Sequence, residues 1–151
     1  MKTVQLKASE IKVTYKSRNT EKPKITSSLD VYSQALQIYD STELELREKF
    51  YVLFLNRANH VLGFHCHSVG GIAGTVVDIR LIMSLALKVV ASAIILIHNH
   101  PSGNLKPSEQ DREITQRLKD AGKLLDITVF DHVIITGKLG DYYSFADEGD
   151  L

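Results

Sequence analysis

The stretch that most constrains this chain is five aliphatic residues, Ala93-Ile94-Ile95-Leu96-Ile97, running straight into His98-Asn99-His100-Pro101-Ser102-Gly103. A short apolar run bounded by turn residues reads as a buried strand. On a strand, side chains two apart leave the same face, so His98 and His100 project together from its end. Pro101 cannot donate to a sheet ladder, and Ser102-Gly103 turns the chain. A helical pattern opens at Ser108, with Ile114, Leu118, Ala121 and Leu125 recurring at three- and four-residue steps. Ser108 suits the N-cap and Asp111 the third helical position, where the macrodipole favours an ionised carboxylate. Taken singly, Ser-x-x-Asp is an ordinary helix cap. Joined to the two imidazoles, it completes a set of two nitrogens and one oxygen. With a fourth position left for water, that is the ligand set of a catalytic zinc site. The same set also holds non-haem Fe(II).

Composition limits the alternatives. At 151 residues the chain is sized for one domain with a real core. A formal net charge of zero and 44% hydrophobic residues describe a globular chain without the basic balance of a dedicated nucleic-acid binder. The single Cys66 excludes an internal disulfide framework and fits a reducing cytoplasm. No apolar run approaches a transmembrane length, and Met1–Lys7 lacks the apolar core of a signal peptide. A cytoplasmic protein with no membrane partner is therefore expected. The charge is uneven: residues 1–24 carry seven cations against Glu10 and Glu21. Such an arm can touch an acidic partner or nucleic acid, though more often it is simply solvated.

Along the chain, Val4, Leu6, Ile11, Val13 and Tyr15 alternate weakly and read as an N-terminal hairpin or edge strand, followed by a polar loop. Ser27 and Ser28 offer a cap for a short helix carrying Val31, Ala35, Leu36 and Tyr39. Phe50–Leu55 is a buried strand, Asn56–Asn59 a turn, and His60–Ser68 the returning strand of a hairpin. On that second strand His65 and His67 share a face, which reads either as a strand surface or as half of another metal site. Gly70–Thr75 is a glycine-rich loop without the features of a nucleotide-binding loop. Asp78 caps a helix whose stripe, Ile79, Ile82, Met83, Ala86, Leu87 and Val90, belongs to the core. Ile127–Thr136 is a further strand containing His132, read as a structural hydrogen-bonding group ahead of a metal ligand. Tyr142–Phe145 is a last short strand, and 146–151 is an acidic, frayed tail.

The central run resembles the signature of the JAB/MPN (JAMM) metalloenzymes: a Glu, then His-x-His-Pro, six residues, Ser, two residues, Asp. His98-Asn99-His100-Pro101, Ser102 to Pro107, Ser108 and Asp111 match it position by position. His-Asn-His-Pro-Ser-Gly, together with Ala121–Ile127 and Asp131–Ile135, is similar to the RadC branch of that superfamily. The resemblance covers roughly residues 30–145 and divides the chain into an extension at 1–28, a domain at 29–145 and the tail.

It implies a single α/β domain, a mixed β-sheet flanked by helices in the cytidine-deaminase-like architecture of JAMM domains. Deaminase chemistry itself is disfavoured, because the His-x-Glu and Pro-Cys-x-x-Cys ligands are absent. The resemblance further implies one Zn2+ on His98, His100 and Asp111, Glu48 as general base at the entry to its strand, and Ser108 stabilising an oxyanion. The implied activity is hydrolysis of a peptide or isopeptide-like amide in a peptide or protein substrate. The alternative is a non-enzymatic module of the DNA-repair-associated RadC type, binding nucleic acid or protein. Full-length relatives carry an N-terminal helix-hairpin-helix region, which this chain is expected to lack.

Overall fold

The computed structural model describes residues 8–18, 20–70 and 76–151. In chain order the elements are α1 (Ser28–Ile38), β1 (Lys49–Leu55), β2 (Val61–Val69), α2 (Ile79–Lys88), β3 (Ala93–Asn99), α3 (Glu109–Leu125), β4 (Thr128–Ile135), β5 (Tyr142–Ser144) and α4 (Phe145–Glu148). They build one α/β domain around a five-stranded mixed sheet of order β2-β1-β3-β4-β5. β1 is antiparallel to both β2 and β3, β3 and β4 are parallel, and β5 returns antiparallel. The parallel pair requires a crossover, and α3 supplies it.

Strand alternation divides the core in two. Odd positions (Tyr51, Leu53 and Leu55 of β1; Ala93, Ile95 and Ile97 of β3) meet Val31, Tyr32 and Ala35 of α1. Even positions (Phe50, Val52, Phe54; Ile94, Leu96) meet Ile82, Met83 and Ala86 of α2 and Ile114 and Leu118 of α3. His98 continues the even series, so it emerges on the α2/α3 side. Asn99 continues the odd series and points to the other side.

The helix starts follow their capping residues. Ser27 and Asp30 form a reciprocal capping box on α1, Asp78 accepts from Arg80 and Leu81 N–H on α2, and Ser108 and Asp111 form a second box on α3.

Several expectations need correcting. Residues 9–17 form no strand, and Ile11 is 89% exposed; their alternation is too weakly apolar to add to the β2 edge, and the Tyr15 hydroxyl donates to the Leu62 carbonyl of β2. Val4, Leu6 and the loop at 71–75 lie outside the described residues. In α2, Leu87 and Val90 are not core: Val90 adopts φ 54°, which ends the helix and turns the side chain to solvent at 82% exposure. The acidic tail is not frayed. Ser144 caps α4, Asp150 pairs with Arg112 at 2.8 Å and accepts from the Tyr143 hydroxyl, and Leu151 packs against the α2/α3 core.

Candidate metal centre

The end of β3 and the start of α3 bring three side chains to one point. His98 Nε2 lies 2.8 Å from His100 Nε2 and 3.2 Å from Asp111 Oδ1, and His100 Nε2 lies 3.4 Å from Asp111 Oδ2. Ligands about 2.0–2.1 Å from a tetrahedral zinc ion stand about 3.3–3.4 Å from one another, and one donor atom from each of the three residues lies within 4.8 Å of the other two, close enough to share one ion. Among the described residues this is the one cluster of at least three potential ligands.

Hydrogen-bond logic decides which ring nitrogens carry protons. His100 Nδ1 lies 2.6 Å from the Asn104 carbonyl, an acceptor only, so Nδ1 donates and Nε2 of the neutral ring keeps its lone pair. For His98 the logic runs through two buried residues. The Thr115 hydroxyl donates to the Asp111 carbonyl at 2.6 Å, so its oxygen accepts from His132 Nδ1–H at 2.7 Å. Burial, and next the charge of His98, push the His132 pKa well below its ordinary value, so this imidazole is neutral and its Nε2 is an acceptor. It accepts from His98 Nδ1–H at 2.7 Å, leaving His98 Nε2 bare and facing the cluster. Both imidazoles thus offer lone pairs to one point, each ring oriented by a hydrogen bond from its other nitrogen. Phe50 stacks on His98 and Phe145 on His132, closing the relay from water.

Asp111 is the anionic corner. Burial alone would raise its pKa, but the His100 and His98 rings, which donate to it when protonated, the charge of protonated His98 and the Ser108 N–H hold the carboxyl far below the usual range. Burial also opposes a charged His100; contact with Asp111, the Asn104 carbonyl and the Glu48 charge outweigh it and raise its pKa. The donor set fits a divalent ion: two directed lone pairs and one carboxylate kept ionised.

Glu48 immediately precedes β1 and lines a cleft of about 430 Å³ with His100, Arg47, Ser102, Asn104 and Lys106. The β1–β3 ladder ends at the pair Phe50 and His98, and just past that end Glu48 and His100 line the same cleft. Ser108 sits at the α3 N-cap, its oxygen accepting from Asp111 N–H at 3.1 Å. His132 is a hydrogen-bonding residue behind His98, as read. His65 and His67 contribute to no second ligand cluster among the described residues; His67 Nε2 instead accepts from Asp78 N–H at 2.8 Å.

Sequence reasoning missed Thr115, although it stands one turn after Asp111 and so on the same helix face. It also passed over Asn99, whose neighbours drew all the attention.

An α/β domain with this His-x-His strand end and capping aspartate has the features of a JAB-type domain. The family model of the RadC-like JAB domain matches residues 25–150, and the chain belongs to that family. It is 48% identical over 126 residues to a UPF0758 protein of Flavobacterium johnsoniae, covering 83% of this chain and 53% of the relative. It is 50% identical over 105 residues to a UPF0758 protein of Porphyromonas gingivalis, covering 70% and 46%. The UPF0758 protein YfjY of Escherichia coli is 45% identical over 105 residues, covering 70% of this chain and 64% of the relative. The chain thus spans about half the length of the first two relatives. Among the described residues no helix is long and apolar enough to cross a membrane.

Proposed function

We propose that this domain is a zinc-dependent hydrolase of peptide or isopeptide-like amide bonds, acting on a peptide or protein substrate in the cytoplasm. The observation that carries this reading is the convergence of two bare imidazole nitrogens and one ionised carboxylate within 3.4 Å, beside a cleft lined by a second carboxylate. His98, His100 and Asp111 would hold the ion. When bound, it would supply Lewis acidity, easing removal of a proton from water at neutral pH.

The remaining chemistry belongs to the chain. Glu48 takes the proton released as water adds to the carbonyl carbon, then returns it to the amine as the C–N bond breaks. Ser108 uses its oxygen to accept from the Asp111 N–H, which leaves its hydroxyl proton to donate to the carbonyl oxygen as charge builds there. Such a donor contributes about 100–1,000-fold in rate. Arg47, Asn104 and Lys106 line the wall against which a substrate is oriented.

The test is a panel of peptide and lysine-isopeptide amides, offered to the parent protein and to Glu48→Gln, each loaded with one equivalent of zinc. The variant is expected to keep its zinc and lose about 10²–10⁴-fold in turnover. Equal rates would remove Glu48 from the mechanism. A parent protein that binds nucleic acid with a steep salt dependence, yet cleaves no amide, would favour the non-catalytic interaction module instead.

A further inference from the structure

Between the two histidines stands a residue with no place in the metal cluster. Asn99 is fully buried, and its carboxamide faces away from the ligands. Its Nδ2 donates to the Leu44 carbonyl at 2.8 Å and to the Arg47 carbonyl at 2.9 Å, and its Oδ1 accepts from Lys49 N–H at 2.8 Å. Carbonyls only accept here and the backbone N–H only donates, so the amide can be oriented in one way. All three bonds go to one short stretch, 44–49. Two of them grip the peptide groups on either side of Glu48, the Arg47 carbonyl before it and the Lys49 N–H after it. The Glu48 carbonyl itself accepts from Gly70 N–H at 2.8 Å.

We infer that Asn99 is a positioning residue for Glu48, locking the turn that carries the carboxylate to the strand that carries the metal ligands. This rests on the reading of Glu48 given above. The β1–β3 ladder ends at the pair Phe50 and His98. Beyond it β1 and β3 have no further pairs with each other, and the Asn99 side chain takes the Lys49 N–H that their ladder leaves over. The residue between the ligands must face the opposite side of the sheet. One strand end therefore presents imidazoles on one face and, on the other, the clamp that sets the base against them. The three bonds span 2.8–2.9 Å and all start from a fully buried carboxamide, so truncating it leaves backbone groups of 44–49 without their partner.

The experiment uses cobalt(II) as the metal probe in the full chain, comparing the parent, Asn99→Ala, Glu48→Gln and the double variant. Three quantities are read: cobalt stoichiometry, the pH midpoint of the visible cobalt spectrum, and amide hydrogen exchange across 44–49. Asn99→Ala is expected to bind one cobalt, to exchange at least tenfold faster at Lys49, and to move the midpoint in the direction that Glu48→Gln moves it. The double variant is expected to move it no further than Glu48→Gln alone. A midpoint left at the parental value by Asn99→Ala, while Glu48→Gln shifts it, overturns the clamp and leaves the base assignment standing. A Glu48→Gln midpoint equal to the parent's overturns the clamp through its premise. Should the alanine variant not fold, Asn99→Asp keeps the acceptor for Lys49 but removes both donors. It is expected to give the same midpoint shift, and an unshifted midpoint overturns the proposal.

Discussion

At the scale of single residues, the centre depends on proton placement as much as on ligand identity. His98 is held in the tautomer that bares Nε2 only because Thr115 gives its own proton to the Asp111 carbonyl and receives one from His132. Thr115→Val keeps the shape and removes the oxygen, stranding the buried His132 Nδ1–H. Metal affinity is expected to fall about 10–100-fold, with a stability cost of about 1–3 kcal/mol. Isothermal titration with zinc and thermal melts check both, and an unchanged affinity would disconnect the relay from the ion. Acid–base behaviour follows from the same cluster. In metal-free protein, His100 has a raised pKa, so its contribution is full below the ordinary value of 6.5 and is lost as pH climbs through the raised one. The lowered Asp111 pKa acts the other way: its contribution is present above the ordinary 3.8 and is lost as pH falls below it. Melting temperature in chelator should therefore peak between those two values and decline on either side. A curve rising steadily towards pH 8 would contradict this.

At the scale of elements, close approach sets limits that propensity does not. A methyl on Gly122, in the last turns of α3, would lie 2.2 Å from the Ile127 carbonyl oxygen and 3.7 Å from Met83 Cε. The Ile127 backbone cannot yield cheaply, so Gly122→Ala should cost about 1–3 kcal/mol. In an unconstrained helix the same change stabilises by about 0.5–1 kcal/mol, so a melt separates the cases by sign. The long elements were legible because each has one dominant period: the aliphatic run of β3, the hairpin of β1 and β2, and the capped stripe of α3. What could not be read was whatever depends on partners far along the chain. α4 is a single turn kept in place by Asp131, which accepts from Ala146 N–H and the Ser144 hydroxyl, and by Arg112, which holds Asp150. Nothing within 146–151 signals those contacts, and the acidic composition argued for solvent. Val90 fits the α2 stripe by spacing, yet its positive φ takes it out of the helix.

At the scale of the whole molecule, the sheet works as a two-sided support. Its α2/α3 side carries His98 to Asp111 at the head of α3, and its α1 side carries Asn99 to the turn before β1. The clustering of His98, His100 and Asp111 was legible because His-x-His and Ser-x-x-Asp are local patterns. The relay through His132 was only half legible, since the register that sets β4 beside β3 is not written in either strand. An ion that binds the folded state alone stabilises it by about 2.7 kcal/mol at a hundredfold excess over Kd, so the fold and the centre should be linked. The most direct measurement is elemental analysis of the protein and its Asp111→Ala variant after exposure to one equivalent of zinc and desalting, each paired with a melt. The account predicts one zinc per chain and a raised melting temperature for the parent, and neither for a variant that is still folded. A folded Asp111→Ala protein that retains zinc at parental stoichiometry, or a parent that retains none, would contradict it.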